Sequence, residues 1–195
     1  MIPSAGIGGF GIQLIFAMLR LCIFCGSNTG NNQRFKDSAS ELARAVVHAG
    51  YGVVYGGGRV GLMGIAADAA LAAGGDVIGV IPRVLATAEV AHDGVSTLHV
   101  VESMHERKAL MADLSDAFVA LPGGFGTMDE FHEIVTWRQL RIHDKPIFLF
   151  NEDGYYDALI ALYERMAGEG FLAPRNRGLF TVVRSIDELI AALPR

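Results

Sequence analysis

The 195-residue chain is 51% hydrophobic and 19% charged, with 16 Lys and Arg against 21 Asp and Glu for a formal net charge of -5. A chain of this length is expected to fold as one domain around one core, and such a composition reads as a soluble globular protein rather than a disordered one. The acidic balance also excludes broad attraction to a nucleic-acid polymer, which needs a basic surface.

Residues 1–17, "MIPSAGIGGFGIQLIFA", are apolar and glycine-rich, but they lack a basic leader region and a cleavage site. Their apolar run falls well short of the ~20 residues of a membrane span. They are expected to form an extension outside the fold, which occupies 18–195, and no membrane association is expected. The first strand, 20–25 ("RLCIFC"), carries Cys22 and Cys25 in a C-x-x-C spacing. A redox pair or half of a zinc site has this spacing too, but residues three apart on a strand point to opposite faces, and no second Cys pair exists. Reduced thiols, no metal and a cytoplasmic location are expected.

"CGSNTG" then leads into a helical pattern over 33–49, and a strand over 51–55 leads through "YGGGRVGLMG" into a helix over 61–73. Gly56, Gly58 and Gly61 match G-x-G-x-x-G, the fingerprint of a dinucleotide site. The acid that should bind the ribose lies near the end of the next strand in such sites. Asp76 instead opens the strand over 76–81, whose end is "IPR", so no dinucleotide cofactor is expected. Residues 82–96 form the longest irregular stretch and read as an active-site loop. After a strand over 97–101, the helix over 103–113 supplies Glu106, Arg107 and Lys108. These make either a solvated charge cluster or a ligand site, in which Arg107 is the stronger candidate because its planar fork binds an oxyanion through two aligned donors.

A strand over 117–121 precedes "PGGFGTMDE", and a helix over 127–141 follows. This glycine loop lacks the Gly-Lys-Ser/Thr ending of a P-loop, which leaves a mononucleotide reading: glycines let backbone N–H groups approach one phosphate at a helix N-terminus. Thr127 adds a hydroxyl there, and Ser27 reaches the same crevice from the first strand. "TMDE" also fits a capping box, with Thr127 capping the helix and Glu130 returning to the cap N–H. The remaining elements are strands over 146–150 and 179–183 and helices over 155–168 and 185–193. Nearly continuous apolar strands alternating with helices predict an α/β, Rossmann-like, doubly wound parallel sheet with helices on both faces, in a single domain.

The segments "CIFCGSNTG", "VVYGGGRVGLMG", "GGDVIGVIP", "MHERK" and "PGGFGTMDE", in this order, resemble the LOG (Lonely Guy) cytokinin riboside 5'-monophosphate phosphoribohydrolases. The resemblance runs from about Arg20 to near the end of the chain. It implies a catalytic pair, Arg107 and Glu130. It implies ligand contacts at Glu89, Lys108, Gly123, Gly124, Phe125, Gly126, Thr127, Met128, Asp129 and Thr136. The implied reaction hydrolyses the N-glycosidic bond of a nucleoside 5'-monophosphate, a cytokinin riboside monophosphate or AMP, releasing base and ribose 5-phosphate without a cofactor. A homodimer is also implied. The chain departs from the family pattern at Asp129, at Phe125, where tyrosine is common, and at Arg141, where glycine is common. The alternatives are a broader purine-nucleotide nucleosidase and a non-catalytic nucleotide-binding module. Decarboxylation through a pyridoxal Schiff base would need Lys36, Lys108 or Lys145, none of which stands in a recognised motif for it.

Overall fold

A computed structural model describes residues 18–86 and 90–195; the 1–17 extension and Glu89 lie outside the described residues. The strands are β1 (Arg20–Phe24), β2 (Gly52–Tyr55), β3 (Val77–Pro82), β4 (Thr97–Val101), β5 (Ala117–Ala120), β6 (Ile147–Phe150) and β7 (Thr181–Val183). The helices are α1 (Gln33–His48), α2 (Gly61–Ala72), α3 (Met104–Asp113), α4 (Phe125–Gln139), α5 (Asp157–Gly168) and α6 (Ile186–Ala192). Every strand pairing is parallel, in the order β4-β3-β2-β1-β5-β6-β7. The chain therefore winds outward one way from β1 and then the other way from β5, as the apolar strand and helix alternation predicts.

The strand pleat sorts the core into two layers. Leu21, Ile23 and Cys25 face one side with Leu42 and Val46 of α1, Ala66 and Ala70 of α2 and Leu189 of α6. Cys22 and Phe24 face the other side with Met111 of α3 and Phe131 and Ile134 of α4. The two cysteines are free, buried and on opposite faces of the sheet.

The helix starts differ from the expected capping. Ser103 accepts a hydrogen bond from the Glu106 N–H at 3.2 Å while Glu106 Oε2 accepts from the Glu102 N–H at 2.9 Å. Ser185 and Glu188 repeat this at the start of α6, so the S-x-x-E capping pattern operates at those two helices. At α4 it does not. That helix starts at Phe125, two residues earlier than expected, with Gly124 as a cap that has no side chain to offer. Thr127 lies inside the first turn, Asp129 and Glu130 fall in the second, and Glu130 is engaged elsewhere.

Candidate active site

The strand order reverses between β1 and β5, where the Gly26 N–H donates to Pro122 O at 3.2 Å and the Leu121 N–H to Phe24 O at 2.9 Å. In open α/β sheets a crevice opens beyond the strand ends at this reversal. A cavity of about 830 Å³ occupies it, with Gly26, Ser27 and Asn28 after β1, Gly56 and Gly58 after β2, and Pro122 through Thr127 after β5. Arg107 and Glu130 line it too.

These two residues form the charged centre. Arg107, in the first turn of α3, donates from Nη1 to Glu130 Oε1 at 2.6 Å and from Nε to Val80 O at 3.0 Å. Both residues are buried, at 7% exposure each. Burial pushes the Glu130 carboxyl above its ordinary range, because a desolvated charge is costly, and the adjacent guanidinium opposes that rise. The result is a carboxylate more basic than one in water, held in a fixed direction by its partner.

Beside it, α4 presents its N-terminus to the cavity through Gly124, Phe125, Gly126 and Thr127. The first N–H groups of a helix have no partners within it, and the helix dipole makes this end positive. Thr127 is buried, with its side chain packed against the Cα of Gly123, where a Cβ would overlap it. The Tyr155 hydroxyl donates to Gly123 O at 2.7 Å and so braces the glycine loop from the α5 side. Tyr155 packs edge-on to Phe35, 5.5 Å between ring centres, and both rings line the cavity with Val60, Met63, Leu85 and Met104. These apolar walls were not singled out from the sequence.

The expected site residues divide between two places. Ser27, Gly123, Gly124, Phe125, Gly126, Thr127, Arg107 and Glu130 share the cavity. Met128, Asp129 and Thr136 instead line a groove of about 560 Å³ on the outer side of α4, with His132, Glu133 and Trp137; Phe125 borders both. Lys108 is buried beneath that groove, its Nζ 3.0 Å from Asp129 Oδ2 and 3.1 Å from Glu133 Oε2. Neighbouring positions on α3 thus send one cation to the cavity and one to the groove, as the 100° step of a helix requires.

The loop after β3 reaches the cavity through Leu85 and Val90. It is tied down by Arg59 N–H to Val90 O at 2.8 Å, His92 N–H to Gly57 O at 3.0 Å and an antiparallel bridge between Gly58 and Ala91. Asp76 sits at the opposite end of β3 and pairs with Arg20 at 3.4 Å, far from a ribose-binding role.

The fold and this site define a Rossmann-like α/β protein with a switch-point cavity built around a buried arginine–glutamate pair. The family described as "Possible lysine decarboxylase" matches residues 63–193. A cytokinin riboside 5'-monophosphate phosphoribohydrolase of Arabidopsis thaliana is 45% identical over 174 residues, 89% of this chain and 82% of that protein. Its counterpart in Rhodococcoides fascians is 48% identical over 172 residues, covering 88% and 87%. The molybdenum cofactor carrier protein of Chlamydomonas reinhardtii superposes with a TM-score of 0.68 at 24% identity, over 90% of this chain and 96% of that one, a likeness of fold. The chain belongs to the family these phosphoribohydrolases represent, the LOG family of the sequence resemblance.

Proposed function

We propose that the protein is a nucleoside 5'-monophosphate phosphoribohydrolase that cleaves cytokinin riboside 5'-monophosphates and AMP to free base and ribose 5-phosphate. The observation that carries the reading is the Arg107–Glu130 pair facing the same cavity as the N-terminus of α4. The names of relatives at 45 and 48% identity supply the substrate class.

The phosphate binds at the N–H groups of Gly124 to Thr127, where the helix end offers donors and positive potential. The ribose then lies toward Glu130. As the bond from C1' to the base nitrogen lengthens, the sugar acquires positive charge that the carboxylate stabilises. Water attacks C1', its hydroxyl staying on the sugar and its proton going to the departing base with the bond's electron pair. A carboxylate made more basic by burial is suited to orienting that water. Arg107 keeps it ionised and aimed. The apolar wall of Val60, Leu85 and Met104 receives the base. Lys108, locked between two carboxylates, is poorly placed for Schiff-base chemistry.

Lys108, Met128, Asp129 and Thr136 remain part of the proposed binding set, reached through a homodimer in which the α4 groove of one copy borders the cavity of the other, and the family resemblance adds Glu89 to that set. Phe125, 98% exposed between the two, supports that contact. A cytoplasmic location belongs to the same reading and accords with two free thiols.

The test is chromatography of purified protein incubated with AMP and with isopentenyladenosine 5'-monophosphate. Free base and ribose 5-phosphate should appear from the wild type and fall sharply with Glu130→Gln. Nucleotide binding without any base release would support the carrier alternative and end this reading.

A further inference from the structure

We infer that Gly56 is a positioning residue for the Arg107–Glu130 pair: its bare Cα leaves the seat in which the guanidinium is held against the carboxylate. The inference deepens the proposed function and rests on it for its catalytic meaning.

A Cβ built on Gly56 would overlap Arg107 Nη2 and stand 3.2 Å from Arg107 Cζ and 3.1 Å from Met63 Sδ. Any retreat of the guanidinium strains the two bonds that hold it, Nε to Val80 O and Nη1 to Glu130. A side chain at position 56 therefore displaces the cation paired with Glu130 in the cavity. Backbone conformation is not the reason for glycine here. Gly57 has φ 74° and is glycine on that ground, whereas Gly56 is outside the left-handed region. At Gly58 a Cβ would meet only the flexible Met63 side chain at 3.2 Å and Val90 O at 3.8 Å. Of the three successive glycines, the first is the one whose missing side chain Arg107 occupies. The stretch that looks like a phosphate-binding loop thus has a second use, to admit a cation from the protein's own α3.

Gly56→Ala, Arg107→Lys and the double variant test this in the full chain. Lysine lacks Nη2, the atom a Cβ at position 56 would overlap, and its Nζ reaches only about as far as Arg107 Cζ, 3.2 Å from that Cβ. The primary readout is the titration midpoint of Glu130, followed by carbon NMR of labelled glutamate carboxylates and assigned by loss of the signal in Glu130→Gln. With Arg107 present, Gly56→Ala should raise the midpoint by about one pH unit or more, as expected when an opposite charge is moved away. In the Arg107→Lys background the same substitution should leave it unchanged. Base release should fall about 100-fold in Gly56→Ala, the scale of a misplacement of about 1 Å. An unmoved midpoint, or an equal shift in both backgrounds, overturns the inference. If Gly56→Ala fails to fold, a folded double variant supports the seat and an unfolded one refutes it. Because the titration needs no turnover, failure of the seat and failure of the proposed reaction are separately visible.

Discussion

Glu130 has burial pulling its proton affinity up and Arg107 pulling it down, and burial prevails. The proposed reaction needs the ionised form, so activity should be present above the Glu130 pKa and lost as pH falls through it. The acid limb of kcat/KM should therefore lie above the ~4.3 of a free glutamate; a limb at or below that value would contradict the assignment. Glu130→Gln keeps an acceptor for Arg107 and should fold normally while losing about 10²–10³ in rate, checked by base release alongside circular dichroism. Arg107→Ala is a different experiment. Removing one member of a buried pair costs about 3–5 kcal/mol, so its urea midpoint should drop well below that of Glu130→Gln. Arg107 and Glu130 were legible because each stands in a short motif, "MHERK" and "PGGFGTMDE". Gly56 was legible only as a glycine, since what fills its side-chain space comes from a helix 51 positions later in the chain.

Helix α4 shows where local patterns mislead and where they inform. "TMDE" satisfies the capping-box spelling, yet the glycines before it extend the helix to Phe125 and free Glu130 for Arg107. Local sequence could not choose between a cap and a tertiary ion pair, because both use the same carboxylate. The other end of α4 shows why glycine suits the position of Arg141. Arg141 N–H donates to Arg138 O at 3.0 Å and Ile142 N–H to Trp137 O at 2.9 Å, a Schellman ending that places Arg141 at φ 62°. Glycine takes that conformation freely, whereas a side chain pays about 1–2 kcal/mol. Arg141→Gly should therefore raise the thermal midpoint by about 2–4 °C in a scan, with base release unchanged. An unaltered or lower midpoint would show the left-handed turn is not strained. Phe131, fully buried on the core face of α4, should cost about 3–5 kcal/mol when cut to alanine.

For the whole molecule, strand and helix alternation and apolar strand runs were enough to read the sheet class, since a parallel sheet covered on both faces leaves that imprint. Each expected strand is found within a residue or two of its place. Strand order was not legible: the placement of β5 beside β1 depends on long-range pairing, and it is this that opens the cavity between their ends. The separation of the expected ligand residues into a cavity and an outer groove was equally hidden, because positions 127 to 136 are contiguous in sequence but lie around a helix. Sedimentation should give a species of twice the 20.9 kDa chain mass if the groove is completed by a second copy, and a monomer would remove that part of the reading. The most direct measurement of the central claim compares base release from isopentenyladenosine 5'-monophosphate with that from its unphosphorylated riboside. Anchoring of one phosphate at the start of α4 predicts rapid release from the monophosphate and a rate lower by at least about 100-fold from the riboside, whereas equal cleavage of the two would contradict it.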